Sequence, residues 1–166
     1  MLFRSPGHRT LGARVIGRNA DNWWKSLQID RGTNDGLREN LAVINADGLV
    51  GKTIHVTRGE ARVLLLTDPN CKTSALLQES REVGVCAGIE NAGDTALVMT
   101  YVKRGTTILA GERVLTSGLG GVFPKGLAIG TATKAQINPQ TGMYLDVTVK
   151  PTVDFRRLEE VMVLLE

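Results

Sequence analysis

Met143-Tyr-Leu-Asp-Val-Thr-Val-Lys150 alternates without a break: Met143, Leu145, Val147 and Val149 are apolar, while Tyr144, Asp146, Thr148 and Lys150 point the other way. Successive side chains of a strand face opposite sides, so this stretch reads as a strand with one buried and one wet face. Runs of the same kind recur outward from it, each bounded by glycine, proline, asparagine or aspartate. Ala13–Arg18, Trp24–Asp30, Leu41–Asn45, Leu49–Thr57 and Ala61–Thr67 precede the turn signal Asp68-Pro69-Asn70. Thr73–Gln78, Glu82–Gly88, Thr95–Tyr101, Arg113–Ser117, Leu127–Ala135 and Met143–Lys150 follow it, and Val161–Leu165 is a last run beyond Pro151. The pattern predicts about twelve strands. Asp154–Glu160 alone reads as helical, one or two turns with Asp154 as N-cap.

Two runs break the alternation. Val63-Leu64-Leu65-Leu66 and Val161-Met162-Val163-Leu164-Leu165 are apolar on both faces, as in strands covered on both sides. The expectation is an all-β chain of two small six-stranded β-barrels packed together, these strands near the junction, with one short helix near the C-terminus. Residues 13–68 plus 157–166 would form the first barrel and 70–152 the second, nested within it; a simple division into halves is the alternative. Residues 1–12 read as an expression remnant or frayed lead-in.

Composition narrows the function. Of 166 residues, 42% are hydrophobic and 22% charged, as in an ordinary globular chain, and 19 are glycine, a surplus that suits turn-rich β structure. The formal charge of +3 falls to +1 once Arg4 and Arg9 are set aside (3 − 2 = 1), and aromatics are only 4%, so nucleic acid is a poor partner. Cys71 and Cys86 lack the paired spacing of a zinc site, and only His8 and His55 accompany them, so neither metal nor cofactor is expected. Both cysteines read as small buried side chains, with a single bridge as the other option. No stretch reaches the ~20 apolar residues of a membrane helix.

Several motifs invite chemistry. Ala46-Asp-Gly-Leu-Val-Gly-Lys-Thr53 fits a loose phosphate-loop pattern, but Ile54-His-Val-Thr57 continues as a strand where that chemistry needs a helix N-terminus. His55, Asp68 or Asp94, and Ser117 match one chain order of a catalytic triad, so a hydrolase on a two-barrel fold is the alternative function. Ser117 lacks the Gly-Asp that would shape a nucleophile loop, and His55 reads as a solvated strand residue. Trp23-Trp24 covers a barrel end or serves as a binding hot spot. Arg156-Arg157 and Glu159-Glu160 read as a solvated face. The loop Ser117-Gly-Leu-Gly-Gly-Val-Phe-Pro-Lys-Gly126 is the candidate partner-binding site, through Gly118, Leu119, Gly120, Gly121, Phe123, Pro124 and Lys125. In the competing reading, its apolar residues fold onto their own barrel.

Four segments carry a resemblance. Asp47-Gly-Leu-Val-Gly-Lys52, Val63-Leu-Leu-Leu-Thr-Asp-Pro-Asn70, Val114-Leu-Thr-Ser-Gly-Leu-Gly-Gly-Val-Phe-Pro-Lys-Gly-Leu127 and Val153-Asp-Phe-Arg-Arg-Leu-Glu-Glu-Val161 resemble the MreC family of bacterial rod shape-determining proteins, in order and spacing. The resemblance implies paired barrels related to those of trypsin-like proteases, without catalysis. It implies a membrane helix and coiled coil ahead of a β region on the outer, periplasmic side of the cytoplasmic membrane. It also implies a scaffold of the cell-elongation machinery. Its partners would be further copies of itself, the elongation-specific penicillin-binding transpeptidase that builds peptidoglycan, and other rod-shape membrane proteins linked to the cytoskeleton.

Overall fold

The computed structural model describes residues 9–18, 25–90 and 96–165. Among these are twelve strands: β1 (Thr10–Arg18), β2 (Ser26–Ile29), β3 (Ala42–Asn45), β4 (Gly48–Val56), β5 (Ala61–Leu65), β6 (Thr73–Leu77), β7 (Val83–Gly88), β8 (Leu97–Lys103), β9 (Arg113–Thr116), β10 (Ala128–Ile137), β11 (Tyr144–Pro151) and β12 (Glu160–Leu164). They close into two antiparallel barrels, in the orders β1-β12-β3-β4-β5-β2 and β10-β11-β8-β7-β6-β9. Closure pairs the strands on both sides over most of their length, which is how a small β fold protects its backbone.

β12 lies between β1 and β3, with Val161 opposite Ala13 and Val163 opposite both Leu11 and Val43. Its inward residues Val161 and Val163 are buried, as are Leu27 and Ile29 of β2 and Val63 and Leu65 of β5 across the same barrel. The buried apolar side chains of both barrels form one contiguous cluster.

The barrels meet chiefly through β4 and β10, rather than through β5 or β12 as the two-sided apolar runs suggest. Glycine permits that approach. A Cβ on Gly48 would lie 2.6 Å from the Ala128 carbonyl oxygen and 2.7 Å from Thr152 Oγ1, so any larger residue forces the barrels apart. The connection from β5 to β6 is pinned at Asp68, which is 1% exposed. Its carboxylate accepts from the amides of Lys25 (2.8 Å) and Asn70 (2.7 Å), and its carbonyl from Cys71 N (3.0 Å). Gly88 lets this connection pass over the end of β7, since a Cβ there would sit 1.7 Å from the Thr67 carbonyl oxygen.

Three expectations need correction. β1 starts at Thr10, so the last residues of the expected lead-in are structural: Thr10, Leu11 and Gly12 pair with Leu164, Val163 and Met162. Backbone pairing needs no side chain, so exposed Gly12 carries no hydrophobic signal. The expected helix over Asp154–Glu160 is a turn. Asp154 does begin it, its carbonyl accepting from Arg157 N (3.2 Å), but Arg18 takes the carbonyls of Phe155 (2.7 Å) and Leu158 (3.3 Å) that a longer helix would use. Phe155 and Leu158 are buried beneath it. Finally, Met143 precedes β11 and is 67% exposed, because the β10–β11 hairpin runs past the barrel that would cover it. Trp23, Trp24, His8 and Asp94 lie outside the described residues.

Candidate partner-binding loop

The loop after β9 is closed by Thr116. Its amide donates to the Leu127 carbonyl (2.8 Å), its carbonyl accepts from Gly126 N (2.9 Å), and its hydroxyl accepts from Leu127 N (2.9 Å) while donating to the Pro124 carbonyl. Ser117 N donates to the Ser74 carbonyl (2.9 Å), fixing the same end to β6. Gly118, Gly120, Gly121 and Gly126 all have φ between 77° and 93°, so the chain between these anchors follows a path that side chains with a Cβ rarely adopt.

That path sorts the candidate residues. Phe123 is 7% exposed and packs into the core, whereas Leu119 is 62% exposed at the crest of the loop. Gly120, Gly121 and Lys125 are exposed, and Gly118 and Pro124 are half-buried. Phe123 is therefore an internal clasp, and Leu119 is the one large apolar side chain of the seven presented to solvent. Composition could not separate them, since both lie in a glycine-rich loop with no periodicity.

The residues of the triad pattern do not assemble. The Asp68 carboxylate is taken by two backbone amides, and Ser117 Oγ accepts from Leu119 N (3.2 Å). His55 is exposed on β4, opposite Arg62 in register. The phosphate-loop residues Gly51, Lys52 and Thr53 lie within β4, paired to β5 and β3, so no helix N-terminus faces an anion there. No group of three or more His, Cys, Asp or Glu side chains among the described residues is placed to hold a metal ion. Cys71 and Cys86 are free and buried. Burial pushes each thiol up to about 12; at Cys71 this acts against Lys52, which lowers it, and with Asp68, which raises it.

One exposed feature escaped the sequence reading. Tyr101 is 64% exposed and meets Tyr144 edge to face, with ring centroids 5.6 Å apart and planes at 77°. Tyr101 sits at φ 63° in a bulge where Thr100 and Tyr101 together oppose Asp146. A tyrosine on the wet face of an alternating strand was the available signal; the bulge left none.

Comparison with known proteins agrees over the whole fold. The family model for the rod shape-determining protein MreC, barrel core, matches residues 15–165. The cell shape-determining protein MreC of Listeria monocytogenes is 35% identical over 158 residues, covering 93% of this chain and 52% of the relative. The Escherichia coli protein of that name is 31% identical, with 91% of this chain and 40% of the relative covered. The chain thus spans about half the length, or less, of these relatives. Among solved structures, Listeria MreC superposes with a TM-score of 0.87 at 33% identity, covering 95% of this chain and 75% of that one. MreC from Pseudomonas aeruginosa gives 0.85 at 28% identity, covering 93% and 98%. With the profile, the relatives and the paired barrels in agreement, this chain belongs to the MreC family of rod shape-determining proteins.

Proposed function

We propose that this chain is a non-catalytic scaffold of the bacterial cell-elongation machinery, acting on the outer, periplasmic side of the cytoplasmic membrane. It maintains rod shape by self-association and by binding a penicillin-binding transpeptidase and cytoskeleton-linked membrane proteins. Family membership supports this reading, as do the names of related structures. One at 26% identity is described as the major periplasmic domain of the cell shape-determining filament MreC. In another, which at 18% identity shares the fold alone, an MreC of Helicobacter pylori is in complex with a penicillin-binding protein, PBP2.

The observation that carries a binding role here is Leu119 held out in solvent by a loop fixed at both ends. A protein association gains most when an apolar anchor is already ordered, because little conformational entropy remains to be lost. Gly120, Gly121 and Lys125 would form the rim. Leu119→Asp in the full-length protein tests this: partner co-purification and rod shape should be lost while the melting temperature stays within about 2 °C, as for surface substitutions. Retained rod shape and partner association with Leu119→Asp would remove the loop from the interface.

A further inference from the structure

The second barrel is closed near its base but not along the whole of β10. β9 pairs with β10 only from Ala128 to Thr131, and the last bond on that side runs from Gly111 N to the Ala132 carbonyl (2.8 Å). Beyond it, Lys134–Ile137 pairs with Leu145–Thr148 of β11 on one side. Among the described residues it has no backbone partner on the other. Residues 133–137 are all exposed, so a short strand edge projects past the barrel with its hydrogen-bonding groups facing solvent.

The two faces beside this edge differ. Directly opposed residues of an antiparallel pair share a face, so Ala135 and Ile137 lie with Val147 and Leu145 on the face that continues the barrel interior. There Ile137 is 46% exposed. Lys134 and Gln136 share the outer face with Thr148 and Asp146. Tyr144 lies opposite Lys103 in register, with Tyr101 packed against its ring. Lys134 is the exposed cation on the edge itself, whereas Lys103 and Arg104 lie across β11 from it, Arg104 donating to the Gly142 carbonyl (2.8 Å). Two acids lie near: Asp146 is half-buried, its Oδ2 accepting from Asn138 Nδ2 (3.0 Å) while Oδ1 has no hydrogen-bond partner among the described residues, and Glu112 is 4% exposed and accepts from Glu79 N, Ser80 N and Leu109 N.

We propose that the outer half of β10, Thr133–Ile137, is a strand-addition site for an extended segment of a partner protein. That segment carries apolar residues toward Ala135 and Ile137, alternating with acidic residues toward Lys134. Strand addition takes its affinity from main-chain bonds and its selectivity from alternate side chains, which is what this edge offers. A second copy pairing through the same edge is disfavoured, because the edge bears a lysine and no acid and self-pairing sets like charges together.

The test uses a fluorescein-labelled hexapeptide alternating valine and glutamate, with a valine–lysine hexapeptide as control, added to the intact chain. Binding is followed by anisotropy and by amide hydrogen exchange. The expected result is saturable binding of the glutamate peptide only, with new protection at Lys134–Ile137. Lys134→Glu should weaken it about fivefold, and Ile137→Asp should weaken it with an unchanged melting temperature. No binding at millimolar peptide overturns the proposal, as does equal binding of the lysine peptide or protection elsewhere. Concentration-dependent protection of the same amides without peptide would make a second copy the occupant, and would overturn it too.

Discussion

The contact between the barrels rests on Gly48, and replacing it with alanine tests that directly. Two costs are expected. Gly48 has φ 151°, a conformation open almost only to glycine, so an L residue there is strained by ~1–3 kcal/mol. The new methyl group would also lie 2.6 Å from the Ala128 carbonyl oxygen and 2.7 Å from Thr152 Oγ1, both on the other barrel. Forcing atoms into a packed contact costs a further ~1–3 kcal/mol. The sum, ~2–6 kcal/mol, lowers the melting temperature by about 5–15 °C for a chain of this size. Gly111→Ala is the control: φ is 83°, yet nothing lies within 4 Å of the added Cβ, so only the conformational part applies. Urea denaturation of the two variants should differ by at least about 1 kcal/mol, with hydrogen exchange in the Gly48 variant rising at Ala128 and Thr152. Costs equal within about 0.5 kcal/mol would refute the claim that these glycine contacts set the barrel spacing.

Three other outcomes follow from buried or strained groups. Phe123→Ala should cost ~3–5 kcal/mol in denaturant titration, because it empties a core site; a loss under 1 kcal/mol would mean that the ring is not a clasp. Tyr101→Gly should leave stability unchanged or raise it by about 1 kcal/mol, since it relieves a positive φ at a largely exposed ring; marked destabilisation would show that the tyrosine pair supports the fold. Cys71 and Cys86 have folded pKa values raised from 9.0 to about 12 by burial, so the folded state keeps both protons while the unfolded chain loses them. Their contribution is therefore complete below about pH 9 and is lost as pH rises toward 12, by about 1.4 kcal/mol per thiol per pH unit. Urea midpoints should fall steeply above pH 9 and less steeply when both cysteines are alanine; identical pH profiles would contradict the assignment.

The strands were legible because each has to hide one face, and a period of two survives in the residue string. The extent of β11 toward its lysine, the turn at Asp68-Pro69-Asn70 and the strand character of Lys52–Val56 all follow from that constraint. What was hidden depends on partners distant in sequence. Arg18 diverts the carbonyls of Phe155 and Leu158, turning an N-capped helical pattern into a turn. Gly12 joins β1 only because β12 lies beside it. In the loop, four glycines signalled a constrained backbone, but whether Phe123 or Leu119 turned inward was decided by Thr116, which ties Pro124 and Leu127 down beside the ring.

The place of β12 between β1 and β3 also sets a timetable. Thr10 pairs with Leu164, a partner synthesised 154 residues later (164 − 10 = 154), which takes roughly 8–30 s at usual elongation rates. From the completion of β5 at Leu65 until β12 arrives, the first barrel is a five-stranded sheet with β1 and β3 as raw edges. Every strand of the second, from Thr73 to Pro151, is synthesised before β12. The later half of the chain can thus mature ahead of the earlier half, reversing the common order of folding during translation. A chain terminated and released soon after Pro151 has one complete barrel joined to one that cannot close, and its two open edges are the kind of surface that chaperones and proteases engage.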